Sequence, residues 1–104
     1  MTVVSVYAVF SDVEEAMTIG RAVVEEGLAA CINVLAPCTS IYRWKGAVEQ
    51  ADEAPAILKT SSEHADALIA RIAELHSYDV PAIVVWPIER LYEPYAAWVD
   101  ESAR

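Results

Sequence analysis

Glycine is scarce: the chain has three in 104 residues, and neither G-x-G-x-x-G nor G-x-x-x-x-G-K-[ST] occurs. Backbone that wraps a phosphate needs glycine for close approach, so a nucleotide-cradling loop is not expected. H-E-x-x-H and G-x-S-x-G are also missing, which removes the zinc-helix hydrolase and the nucleophile elbow. No pairing of nucleophile and base can be nominated, and an enzyme is not expected. Cysteine is limited to Cys31 and Cys38. Two thiols cannot supply the four of an iron–sulfur cluster and do not form a C-x-x-C pair. In one extended stretch, at about 3.3 Å per residue, they lie beyond disulfide reach unless the chain folds back at Pro37. Reduced thiols are the default. Basic residues are few, seven against sixteen acidic ones, and the formal charge of -9 opposes a phosphate backbone. Nucleic acid is therefore not an expected partner, although the same acidity would concentrate cations near the surface. No apolar run is long enough to cross a bilayer, and MTVVSVYAVFSD lacks the charged start and cleavage site of a signal peptide. The expectation is a cytoplasmic protein without a membrane partner.

Apolar residues, by contrast, are abundant. The chain is 56% hydrophobic, with three Trp and five Tyr, and its length suits a single domain over residues 1–104. A domain of this size buries only roughly two-thirds of the surface its unfolded chain exposes. Apolar surface should be left over, and an oligomer is expected.

Val3 to Phe10 is β-branched and aromatic on both faces, as a mid-sheet strand requires. SDVEEAMTIGRAVVEEG follows as an amphipathic helix: Ser11 and Glu14 form an S-x-x-E capping box, Val13, Ala16, Met17, Gly20, Val23 and Val24 keep helical spacing, and Gly27 suits the position past its end. From Ala30 to Thr60 the pattern is one of strands: CINVL, TSIYRW, a turn at Lys45 and Gly46, then AVEQ and AILKT. This reads as a long hairpin, bent or interrupted at Pro37 and Pro55, where ladder donors are lost. Ser61 or Ser62 caps a second helix with a stripe of Leu68, Ile69, Ile72 and Leu75, and His76 falls in its last turn. AIVVW, residues 82–86, is apolar on both faces, hence another central strand stopped by Pro87. A closing helix from Pro94 to Ser102 puts Tyr95, Trp98 and Val99 on one side. The order, βαββαβ plus a C-terminal helix, is the split β-α-β arrangement of an α+β, ferredoxin-like fold.

Within this frame LHSYDVP is the stretch richest in chemistry. His76 either neutralises a helix end or acts as a ligand for a borderline metal, with Asp79 as second ligand or orienting acceptor. Cys31 is either a small buried hydrophobe or a contributing thiolate, and Cys38, beside Pro37, is the more exposed of the two thiols. His64 is read as an exposed residue at a helix start. Tyr42, Trp44, Tyr78, Tyr95 and Trp98 are core and interface anchors, or the wall of a ligand cleft. Glu49 and Lys59 are expected to face each other across the hairpin as a cross-strand pair that could fix a polar ligand.

Taken together, EEGLAACINVLAP, TSIYRWKGAVEQ, AILKT, LHSYDVPAIVVWPI and YAAWV resemble the CutA divalent-cation-tolerance family over nearly the whole chain. The resemblance implies a homotrimer similar in architecture to the PII signalling proteins, with tolerance of copper and other divalent cations as its role. It places the family's H-x-Y-[ED] motif on His76, Tyr78 and Asp79, its A-A-C motif on Cys31, and its hairpin motif on Tyr42, Trp44 and Gly46. A first-strand thiol of some members corresponds here to about Ala8, the usual P-Y after the histidine is S-Y, and Glu89 to Tyr92 replace a glycine-containing turn. Two functions follow as expectations. One is a trimer responding to divalent metal, weakly binding copper or a similar ion through His76 and Asp79, with no cofactor required. The other is a PII-like sensor whose intersubunit clefts bind a small polar molecule. On the first, His76→Ala should abolish metal binding and leave stability nearly unchanged.

Overall fold

The computed structural model describes residues 2–104. Its central strand, β1 (Val3–Phe10), is flanked on both sides. β4 (Ala47–Ser61) runs antiparallel to it from Val3↔Ser61 to Phe10↔Ala54, and β5 (Ile83–Pro87) runs antiparallel along the other side from Val4↔Pro87 to Ala8↔Ile83. β2 (Cys31–Val34) adds to the far side of β4, giving the order β2-β4-β1-β5. Side chains alternate across this sheet. Val6, Ala8 and Phe10 of β1, with Ala56 and Leu58 of β4, face α1 (Val13–Glu25) and α2 (Ser62–Leu75). Ala16, Ile19 and Val23 of α1 and Leu68 and Ile72 of α2 complete that core. Met17, assigned to the α1 stripe by spacing, is exposed, and Ile19 fills the face instead. At one end of the opposite face, α3 (Glu93–Ser102) packs Ala96 and Val99 against Val3, Ala30 and Ala103.

The helix ends are set locally. Asp12, not Ser11, is the N-cap of α1: its carboxylate accepts from the Glu15 N–H at 2.8 Å. Glu15 reaches back to accept from the Ser11 N–H and hydroxyl, both at 3.0 Å. The reciprocal bonding expected of Ser11 and Glu14 is made one residue on, by Asp12 and Glu15, with Asp12 in the extended backbone of an N-cap. Gly27, at φ 76, ends α1, and a Cβ there would meet the Arg104 carbonyl oxygen at 2.5 Å. No other residue suits both the left-handed backbone and that approach. Of the two serines offered as cap of α2, Ser61 takes the position, and its hydroxyl lies 2.6 Å from Nδ1 of the half-buried His64.

β3 (Cys38–Trp44) pairs with the first half of β4 as a two-residue hairpin whose turn residues, Lys45 and Gly46, both have positive φ. That turn matches the right-handed twist of its strands. The second arm, AVEQ and AILKT, expected to be interrupted at Pro55, is one continuous strand of fifteen residues. Pro55 does not break it because its missing N–H faces the point where the chain leaves β2. Leu35 N–H donates to the Pro55 carbonyl at 3.0 Å, and Val9 N–H turns the other way, to Ala82 O at 3.1 Å. The hairpin therefore projects past the sheet, and the chain measures 45 × 26 × 23 Å.

β5 was expected to be central. In the single chain it is an edge strand, with Val84, Val85 and Trp86 45%, 37% and 46% exposed. Its apolar residues on both faces were the evidence for a central place, but no second strand among the described residues reaches its outer side.

Candidate functional site: the cleft beneath the hairpin

The β3–β4 register puts Ser40, Tyr42 and Trp44 on one face with Glu53, Ala51, Glu49 and Ala47 opposite. After α2 the chain returns beneath that face, and the Tyr78 hydroxyl donates to Glu53 Oε2 at 2.7 Å. Between hairpin and returning segment lies a cleft of about 540 Å³, walled by Tyr42, Trp44, Tyr78, Val9 and Val80 and carrying Glu49, Glu53, Asp79, Ser40 and Arg43. Burial first, then the bond to Glu53, raises the Tyr78 phenol well above its ordinary pKa. Tyr78 is thus a fixed donor at any physiological pH.

His76 stands behind this wall. Its side chain is fully buried. The Tyr78 N–H donates to Nδ1 at 3.0 Å, so the other nitrogen carries the proton and Nε2 donates to the Val9 carbonyl at 2.8 Å. The ring stacks on Phe10 at 5.2 Å and tilts against Tyr78 at 4.8 Å. Val9 O lies just beyond the last β1–β5 pair, Ala8↔Ile83, so the imidazole completes a ladder that the backbone leaves unfinished. Both ring nitrogens are therefore engaged, and coordination would require giving up one of these bonds.

Glu15, which the sequence reading used for neither site nor cap, joins α1 to this segment. Its Oε2 accepts from the Ser77 N–H at 3.0 Å, and its Oε1 lies 3.9 Å from His76 Nε2. Burial, the largest single influence, would raise its pKa, but the hydrogen bonds from Ser11 and Ser77 together hold it below the ordinary 4.5. A depressed carboxyl contributes stability above the unfolded value and loses it as pH falls through the folded one. Wild type should therefore lose stability below about pH 4.5, and Glu15→Gln should flatten that limb in urea midpoints taken across pH 3 to 7.

Cys31, Lys59, Tyr95 and Trp98 lie elsewhere, around the α3 end of the sheet. Cys31 Sγ is 3.5 Å from the Tyr95 hydroxyl, whose pKa is pushed up to about 12 by burial and by that contact. The Tyr95 ring stacks on Trp98 at 5.7 Å. Lys59 pairs with Ser5 and Cys31. The expected Glu49–Lys59 pair does not form: both residues belong to β4, ten positions or about 33 Å apart along one strand. Glu49 opposes Tyr42 instead. Cys31 sits level with Ser5 and two strands across, roughly 16 Å from Val9, where His76 docks. His76, Asp79 and Cys31 are thus not brought together, and no group of three or more His, Cys, Asp or Glu is placed to hold an ion among the described residues. They do not fit a preformed metal centre. Glu53 was not singled out from sequence, yet two-residue alternation from Glu49 through Ala51 puts it on the cleft face.

The antiparallel sheet, with two helices on one side and a third closing the other, defines a ferredoxin-like subunit of PII-like architecture. A family model described as CutA1 divalent ion tolerance protein matches residues 4–102, and the chain belongs to that family. It is 43% identical over 89 residues to the divalent-cation tolerance protein CutA of Thermus thermophilus, covering 86% of each chain. It is 41% identical over 86 residues to the mouse protein CutA, covering 83% of this chain and 49% of that one. The chain thus spans about half the length of the mouse and human relatives it matches. Among solved structures, CutA of Xylella fastidiosa superposes with a TM-score of 0.96 at 30% identity over the whole of both chains. A CutA from Archaeoglobus fulgidus, described as periplasmic, gives 0.94 at 34% identity over 98% of this chain and 99% of that one. The resemblance read from the sequence and its fold are borne out. No helix among the described residues is long and apolar enough to cross a membrane.

Proposed function

We propose that this divalent-cation tolerance protein works as a homotrimeric, PII-like sensor without catalytic activity, binding a small molecule in the cleft beneath each hairpin. The observation that carries this reading is the cleft itself: about 540 Å³, aromatic-walled, with a few convergent polar groups. Such volume and lining are those of small-molecule sites. Trimer assembly is supported by the bare edge of β5 and by the stacked Tyr7 and Trp86 rings, 4.8 Å apart on the open sheet face. Three copies at -9 each give -27, so the acidic groups must point outward from an apolar interface. Copper or another divalent cation is a weak, exchangeable visitor drawn by Glu49, Glu53 and Asp79, not a required cofactor. The two free thiols, Cys31 and Cys38, suit a cytoplasmic setting.

Native mass spectrometry of protein purified from its own cells tests the reading. The expected result is an assembly of three 11.4 kDa chains carrying a small organic adduct that is lost from Tyr42→Ala. Bare monomers would remove the trimer, and trimers without adduct would remove the cleft as a resident site.

A further inference from the structure

We propose that the cleft selects an organic monocation: an ammonium or guanidinium group on a flat apolar body. This rests on the reading of the cleft as a small-molecule site and names the chemistry it takes. Glu53 is the key residue. It is 9% exposed, yet no cation lies within 4.0 Å of its carboxylate among the described residues. Its Oε2 accepts from the Tyr78 hydroxyl, and its Oε1 has no partner among the described residues. That oxygen is not sealed in, because no buried side-chain oxygen or nitrogen lacks a partner, so it opens onto the cleft that Glu53 lines. This carboxylate has one oxygen tied to Tyr78, the other facing the cleft and no counter-charge of its own, and a cation arriving in the cleft supplies one.

The rest of the lining points the same way. Glu49 and Asp79 add two further acidic groups, against Arg43 as the one basic residue among the lining. Arg43 spends itself on its own turn, donating from Nη1 to the Gly46 carbonyl at 3.4 Å. The net lining charge of -2 repels anions, phosphates included. Tyr42, Trp44 and Tyr78 offer ring faces, whose negative quadrupoles attract ammonium and guanidinium groups while the ring surfaces take an apolar body. The Trp44 ring already attracts the Lys45 ammonium, 5.8 Å from its centroid. A bare metal ion gains little from such walls and finds no gathered donor set. An organic cation uses both features at once.

The test is calorimetric titration of the assembled wild-type protein at neutral pH with 2-phenylethylammonium, 2-phenylethanol and phenylacetate, which share a ring and differ in charge. The cation should bind at least tenfold more tightly than the alcohol, and phenylacetate should give no saturable heat. Glu53→Gln keeps an amide oxygen for the Tyr78 hydroxyl, so the fold is retained, and it should reduce cation affinity to that of the alcohol. An alcohol or carboxylate binding as well as the cation, or a Glu53→Gln variant with unchanged preference, overturns the charge selection and leaves the cleft a binding site. No saturable heat from any of the three overturns both this inference and the small-molecule reading beneath it.

Discussion

His76→Ala is expected to lower the unfolding free energy by about 4 kcal/mol, measured by urea denaturation at fixed protein concentration. The substitution removes a fully buried ring from its stack on Phe10 and leaves a void behind Tyr78. It also strands the Val9 carbonyl and the Tyr78 N–H, which pair with the two ring nitrogens. An unpaired buried donor or acceptor costs about 1 to 3 kcal/mol, which places the hydrogen-bond loss on the same scale as the cavity. His76→Gln should lose roughly half as much, because its amide can still donate to Val9 O but nothing replaces Nδ1. A metal ligand with no structural role would show the reverse order of sensitivity: little stability lost, and metal binding abolished. The sequence left both patterns open, a helix end or a ligand, because it does not show where the two nitrogens point.

Trp86→Glu is expected to convert the trimer proposed above to a folded monomer, read as a fall in sedimentation mass to that of one 11.4 kDa chain. Trp86 contributes to the open face of the sheet on a strand whose outer edge is unpaired. It is 46% exposed, so a single chain loses little when the ring is replaced. In a trimer the same change would bury three carboxylates in an apolar interface of an assembly already at -27. Far-ultraviolet circular dichroism should stay close to wild type. A Trp86→Glu protein that remains trimeric would show that assembly uses another surface, with the exposed hairpin residues Ile41 and Val48 the next to examine.

Much of this architecture was legible because local physics agreed with the global fold. The β-branched run from Val3 to Phe10, the glycine after α1 and the Lys45–Gly46 turn each fixed an element from a few residues. The failures share a cause, which is that sequence patterns report burial without saying what does the burying. AIVVW looked central because both of its faces are apolar, yet its outer side is free within one chain. Pro55 looked like an interruption because a proline removes a donor, and only the register showed that the donor was not needed there. Glu49 and Lys59 looked like partners because they were placed across the hairpin from each other, whereas β4 carries both.

The site was half legible. Tyr42, Trp44, Glu49, Tyr78 and Asp79 do meet in one cleft, while Cys31, Lys59, Tyr95 and Trp98 lie at the other end of the sheet, around α3. What joins the first group is the Tyr78–Glu53 bond across 25 positions, and no local signal marks it. Glu15 escaped for the same reason, since its bond to Ser77 spans 62 positions.

Binding chemistry placed in the cleft, with His76 only supporting its wall, has a direct consequence for calorimetric titration of Cu(II) into wild type, His76→Gln and Glu53→Gln. Wild type should give a weak isotherm that His76→Gln leaves unchanged and Glu53→Gln diminishes. A saturable site that disappears in His76→Gln and survives in Glu53→Gln would place binding at the histidine instead and make LHSYDV a metal-binding motif.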